Sequence, residues 1–211
     1  MVPPRRSQVS ERRIIRFSAT ERIVHWLVAL SFVYVALTGL SMWSPRLFWL
    51  STLFGGGTTA SAWHPWGGVF FVTAFLTMFV SWMRQMKLDR DDRKWLARSH
   101  RYAVHDHASL PDAGRFNGGQ KSLFWIQAAG AVLLLASGLV LWFPESTSRG
   151  LREAAILIHP VSAVVSMSGI IIHIYMGTAA VPKALRGMIQ GWVTPGWART
   201  HHAKWYRELH K

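Results

Sequence analysis

The stretch "LIHPVSAVVSMSGIIIHIYM", residues 157–176, decides how the chain is read. His159 and His173 bracket thirteen residues that carry no charge. A run this apolar suits a bilayer, where an unpaired polar group is costly. Both imidazoles therefore need partners. Fourteen positions at about 100° each stop about 40° short of four full turns, so both rings leave the helix from nearly one face, about 21 Å apart along its axis.

Three other stretches have the same character. Ile23–Trp43, His64–Met83, Ser122–Phe143 and Ala154–Met176 each hold 20 to 23 residues with almost no charge. Each reaches roughly 30–35 Å as a helix, enough to cross the hydrocarbon core. The competing reading, four buried helices of a soluble bundle, is disfavoured by so many apolar residues in succession. Backbone groups in lipid must bond within their own segment, so the spans are expected to be helices. The first run is too long for a signal-peptide core, and no small-residue cleavage pattern follows it. The 211 residues include no cysteine, which excludes disulfides, thiolate ligands, iron–sulfur clusters and covalent haem attachment.

The net charge of +14 raises nucleic acid as a partner, but its distribution argues against that. All 24 Lys and Arg lie outside the spans. Twenty-one fall in the N-terminal arm, the 84–121 connection and the C-terminal tail; Arg46, Arg149 and Arg152 fall on the other side. The positive-inside rule puts both termini in the cytoplasm, where the basic residues can also meet anionic lipid. Trp26, Trp43, Trp63, Trp66, Trp82 and Trp142 lie near span ends, as interfacial anchors do. The expected fold is an all-α integral membrane four-helix bundle. It comprises an arm over 1–19, the transmembrane domain over 20–180 and a tail over 181–211. The 84–121 connection is long enough to have local structure of its own. No sequence repeat is evident beyond the "HP" that opens spans two and four.

Orientation sorts the histidines by depth. His64 and His159 lie near the outer face, His25 and His173 near the cytoplasmic face, and each level draws on two helices. Two haem b groups with bis-histidine ligation would use all four rings. Gly39, fourteen residues after His25, would offer a flat macrocycle close approach at the outer level. Gly67, Gly68 and Gly169 lie near ligand levels, and Gly130 and Gly138 would thin span three. A single intramembrane histidine is as well explained as a hydrogen-bonding spacer between helices; four in depth-matched pairs are not. A metal-ion site would favour carboxylates or clustered ligands, and a coupled transporter would favour buried carboxylates or broken helices. A structural anchor for a peripheral enzyme would not need paired histidines.

Several residues have weaker readings. His105 and His107 suit a solvated loop better than a metal site. His201 and His202 are expected at a partner surface or the lipid interface. "GRFNGGQK" (114–121) is first a flexible turn, yet the amides of Asn117 and Gln120 and the backbone N–H groups of Gly118 and Gly119 would suit quinone carbonyls. Arg22, Arg46 and Arg152 are candidate haem-propionate partners.

The chain resembles the cytochrome b (gamma) subunits of membrane-bound respiratory formate dehydrogenases over about residues 14–209. The resemblance rests on "RFSATERIVHW", "WHPWGG", "RFNGGQKSLFW", "LLASGLVLWFP", "LIHPVSA", "IHIYMGT" and "GMIQGWVTPGWARTHHAKWYRE", in that order. It implies axial ligation of the inner haem by His25 and His173 and of the outer haem by His64 and His159. It also implies a quinone site formed by Asn117, Gly119, Gln120 and His173, with ubiquinone or menaquinone as acceptor. The partners it implies are an iron–sulfur (beta) subunit and a molybdenum- or tungsten-containing catalytic (alpha) subunit. Electrons would then pass from iron–sulfur clusters through outer and inner haems to quinone, with formate oxidised on the partner. The location implied is a bacterial inner membrane. Cytochromes b of hydrogenases and thiosulfate-type reductases share this haem plan.

Overall fold

The computed structural model describes residues 13–103 and 110–210. The described chain runs through β1 (Ile14–Ile15), α1 (Ala19–Trp43), a 3-10 helix (Pro45–Phe54), α2 (Gly57–Trp82), α3 (Arg90–Ala97), α4 (Ser99–Ala103), α5 (Gly118–Trp142) and α6 (Arg149–Tyr175). A π-helical turn (Met176–Ala180) leads to α7 (Ala184–Gln190), β2 (Trp192–Val193), α8 (Pro195–His201) and α9 (Ala203–Glu208). Helices α1, α2, α5 and α6 are long and apolar enough to cross a membrane.

Helices α1, α5 and α6 start before the apolar runs that announce them, because their caps are polar. Ser18 and Glu21 form a capping box at α1, and Asn117 and Gln120 form one at α5. At the far ends, Ser44–Pro45 and Phe143–Pro144 stop α1 and α5, since a residue before proline is driven out of the helical region. Several hydroxyls within the spans bond back to their own helix, as Ser31 does to the Leu27 carbonyl at 2.7 Å and Ser168 to that of Val164 at 2.8 Å. No hydroxyl proton on these residues then needs water.

The most extensive contacts are within two hairpins, α1 with α2 and α5 with α6. They correspond in sequence as well. "TGLSMWSP" (38–45) closes α1 and "SGLVLWFP" (137–144) closes α5, and each is followed by a His–Pro pair on the next helix. The chain thus contains a degenerate repeat, contrary to the expectation of none. It is hidden by the shortness of the shared motif and by connections of different length. Between the hairpins lies a core of Phe32, Phe71, Phe75, Met78 and Phe124, with stacked Phe79 and Phe124 rings 5.3 Å apart. Buried polar residues include Thr38, Gln127, Ser137 and Ser166, whereas Leu157 and Ile171 of α6 are more than 60% exposed. Polar inside and apolar outside is the arrangement lipid demands.

The end carrying the described basic segments is closed by a structured cap. β1 pairs antiparallel with β2, and Arg16 and Phe17 N–H groups both donate to the Gly191 carbonyl. Gly191 has φ +86°, and a Cβ there would lie 2.9 Å from the Phe17 oxygen. Arg115 donates to the Arg16 carbonyl at 2.6 Å and pairs with Glu21 at 2.8 Å. Lys121 of α5 and Asp92 of α3 form a buried ion pair at 2.6 Å, so the long connection between α2 and α5 is anchored to the bundle. Trp82 is also buried, donating to Glu21 from among Phe17 and Phe116, and is no interfacial anchor. Trp43, Trp63 and Trp66 are exposed. His105 and His107 lie outside the described residues.

His202 corrects its expected surface position, being only 2% exposed. Its Nδ1–H donates to the Gly114 carbonyl at 2.6 Å, and Nε2 accepts from Arg16 Nη2 at 2.8 Å. Its neighbour His201 instead lies against the Trp197 ring, with centroids 4.8 Å apart. Burial, and then the adjacent Arg16 guanidinium, hold the His202 imidazole well below its ordinary value of 6.5. The folded chain keeps it neutral, whereas the unfolded chain protonates it below about pH 6.5. Stability linked to His202 is therefore present above that pH and is lost as pH falls below it. Thermal melting in detergent at pH 7 and pH 5 checks this: the midpoint falls on acidification, and a His202→Gln variant loses part of that dependence.

Candidate functional site

Helix α6 presents His159 and His173 from one continuous segment, although Pro160 lies inside it. Each ring meets a ring from another helix. His25 of α1 lies with its centroid 6.1 Å from that of His173, and His64 of α2 lies 6.3 Å from His159. An iron atom between two imidazoles, with bonds of about 2 Å to each, holds the nitrogens about 4 Å and the ring centres about 6 Å apart. Both pairs have that spacing. Among the described residues no cluster of three or more His, Asp or Glu could hold a free metal ion.

The His64–His159 pair lies in a cavity of about 550 Å³ lined by all four long helices. Gly39 and Gly138 line it, each beside the histidine of its own hairpin. A Cβ at Gly39 would lie 3.3 Å from His64 Cε1, and one at Gly138 would lie 3.3 Å from His159 Cε1. Both glycines therefore leave a flat wall beside the ring. Gly67 has a different role from the one expected: a Cβ there would meet the Tyr34 ring at 2.5 Å, so it lets α1 and α2 approach. Gly169 likewise receives Leu123 and Gln127 of α5. The His25 Nδ1 atom is buried without a hydrogen-bond partner among the described residues. An apolar slot, facing imidazoles and wall glycines suit a porphyrin with two axial nitrogen ligands.

Two residues that the sequence reading missed touch this site. Thr38 Oγ1 lies 2.8 Å from His64 Nδ1, and Ser137 Oγ lies 3.0 Å from His159 Nδ1. The signal was the Thr–Gly and Ser–Gly of the repeated motif, in which the residue before each wall glycine is a hydroxyl.

The turn at 117–120 has a structural task. Asn117 Oδ1 accepts from the Gln120 N–H at 2.9 Å, and Gln120 Oε1 accepts from the Asn117 N–H at 3.0 Å. The cap uses each amide's oxygen and none of its N–H2 donors. Gly118 and Gly119 are required where α3 crosses: a Cβ at Gly118 would lie 2.8 Å from the Asp92 carbonyl oxygen, and one at Gly119 would lie 3.1 Å from the Trp95 ring. The register of α5 against α6 brings the turn near the level of the His25–His173 pair. Gln127 Nε2 donates to the Ser166 carbonyl at 3.0 Å, and Leu123 packs on Gly169. One turn further along these antiparallel helices, Gln120 is level with His173. Of the propionate candidates, Arg22 donates to the Ile189 carbonyl at 2.6 Å and Arg152 to those of Pro144 and Thr147.

Four apolar helices with imidazoles paired across a flat-walled slot define the class of b-type membrane cytochromes. The chain belongs to the prokaryotic cytochrome b561 family, whose model matches residues 16–191. It is 35% identical over 201 residues to the formate dehydrogenase cytochrome b556(fdo) subunit of Escherichia coli (strain K12), covering 94% of each chain. It is 32% identical over 203 residues to the nitrate-inducible formate dehydrogenase cytochrome b556(Fdn) subunit of that strain, covering 95% of this chain and 93% of the relative. The formate dehydrogenase cytochrome b556 subunit of Haemophilus influenzae is 33% identical over 202 residues, with 94% of this chain and 84% of the relative covered. The resemblance read from the motifs thus extends along nearly the whole chain, and haem b is the cofactor of its family.

Filling the wall glycines tests the slot. Gly39→Val and Gly138→Val push a side chain against His64 or His159, and the haem-to-chain ratio of the purified variants falls below that of the wild type. An unchanged ratio in both variants would remove the slot from the haem site.

Proposed function

We propose that the chain is the cytochrome b subunit of a membrane-bound formate dehydrogenase complex, binding two haem b groups. His64 and His159 hold one, and His25 and His173 hold the other. The observation that carries this reading is the pair of facing imidazoles at each of two levels of α6, both at the spacing of bis-axial ligation. Haem iron supplies one-electron transfer when bound. The chain's residues fix where that happens: α6 sets the two levels about 21 Å apart.

The distribution of Lys and Arg supports a four-span topology with the capped end, and with it His25 and His173, at the cytoplasmic face. His64 and His159 then lie near the opposite face. The names of the relatives support a formate dehydrogenase complex. In this reading its catalytic subunit and an iron–sulfur subunit dock at that opposite face, where electrons enter, in a bacterial inner membrane. Formate is oxidised on the partner.

The quinone site belongs at the capped end. The register of α5 against α6 puts Gln120 near the level of His173, and Asn117 and Gly119 belong to the same turn. A quinone bound there has hydrogen-bond donors for its carbonyls and lies next to cytoplasmic water for its protons. The Asn117–Gln120 box also holds the turn in shape, so the same two residues start α5 and present their amide hydrogens.

In the assembled complex, His25→Ala lowers the haem content by one per chain and abolishes quinone reduction, while dye-linked formate oxidation by the partner continues. Retention of the full haem content would refute the assignment of His25. Gln120→Ala weakens quinone kinetics by up to about tenfold, the worth of one hydrogen bond, with haem content unchanged. Unaltered kinetics would count against the turn as the quinone site.

A further inference from the structure

The two histidine pairs differ in what lies behind their rings. At the His64–His159 level, each Nδ1 atom meets a hydroxyl from the neighbouring helix of its own hairpin, Thr38 at 2.8 Å and Ser137 at 3.0 Å. A hydroxyl has one hydrogen, and here that hydrogen is committed. Thr38 donates to the Tyr34 carbonyl at 2.8 Å, and Ser137 donates to the Leu133 carbonyl at 2.6 Å. Each hydroxyl can therefore only accept from the imidazole, so Nδ1 carries the proton and Nε2 presents its lone pair. At the other level, His25 Nδ1 is buried with no hydrogen-bond partner, and neither His25 nor His173 meets a hydroxyl among the described residues. The difference follows from the repeat. Thr38–Gly39 and Ser137–Gly138 are matching positions in the two hairpins, so the His64–His159 level is built twice over by one device. His25 and His173 have no such match, since the corresponding positions are Phe124 and Met78.

We infer that Thr38 and Ser137 are positioning residues that fix the orientation and proton tautomer of His64 and His159 and lower the reduction potential of the haem they ligate. The inference rests on the two-haem reading. An imidazole that donates its second N–H to an acceptor is a more basic ligand. A more basic axial ligand favours the ferric over the ferrous state. Both ligands at one level have this support, and at the other level His25 lacks it. The device therefore adds to the driving force for an electron leaving the hydroxyl-backed level for the other, in the direction of the quinone turn. One electron is lost at the first level and gained at the second, with no proton transferred between them. The fixed tautomer has a second effect: neither ring has to turn over, or shed an Nε2 proton, before it can bind iron.

The test is a spectroelectrochemical titration of the full complex in detergent, with the wild-type haem component at this level assigned by its loss in His64→Ala. Thr38→Val and Ser137→Ala each remove one acceptor without adding bulk. Each is expected to raise the reduced-to-oxidised ratio of that component at fixed potential by about tenfold, equivalent to about 59 mV for one electron. The component held by His25 and His173 stays in place, and Thr38→Ser restores the wild-type value. Two haems per chain with both potentials unmoved in Thr38→Val and in Ser137→Ala would overturn the inference and leave the two-haem reading intact. Fewer than two haems in the wild type would overturn that reading itself, and the inference with it.

Discussion

An imidazole in an apolar bundle must bond to something, because lipid provides no water to satisfy it. The rest of the structure is arranged around that requirement. Helix α6 carries two such rings nearly four turns apart, and each is answered by a ring from another helix. Meeting both at once forces α1 and α2 to lie across from the same helix, one meeting it at each level. The glycines and aromatic residues follow from this. Gly39 and Gly138 flank His64 and His159, and phenylalanines fill the space between the hairpins.

The two levels are built differently. The hydroxyl-backed pair is symmetric, one histidine and one hydroxyl from each hairpin. The other pair takes one histidine from the first helix of one hairpin and one from the second helix of the other, so it breaks the symmetry of the repeat. The capped end breaks it too, with α3, the 117–120 turn and the tail all gathered there. Asymmetry behind the histidine pairs and asymmetry in the surrounding chain thus coincide.

Much of this was legible in the sequence because it depends on local periodicity. Length and apolarity marked four spans, and fourteen residues between His159 and His173 put both rings on one face. The clustering of basic residues sorted the remaining histidines by depth. What was illegible depends on contacts between distant segments. The partners of His64 and His159 are hydroxyls 26 and 22 positions away, on helices whose relative rotation no local pattern specifies. His202 reads as an exposed tail residue because its neighbours in sequence are polar; it is buried by Arg16 and Gly114, which lie 186 and 88 positions away. The starts of α1, α5 and α6 lie ahead of their apolar runs for a simpler reason: their capping residues are polar. The Asn117–Gln120 pair shows the converse. Its amides were plain in the sequence, but the capping box they form required the fold.

The central claim is that each chain holds two bis-imidazole haem b groups. Haem quantification on the purified full-length chain, combined with electron paramagnetic resonance of the oxidised protein, tests it most directly. The account predicts two haem b per chain, both giving low-spin ferric signals. One haem per chain, or a high-spin signal from either site in the intact protein, would contradict it.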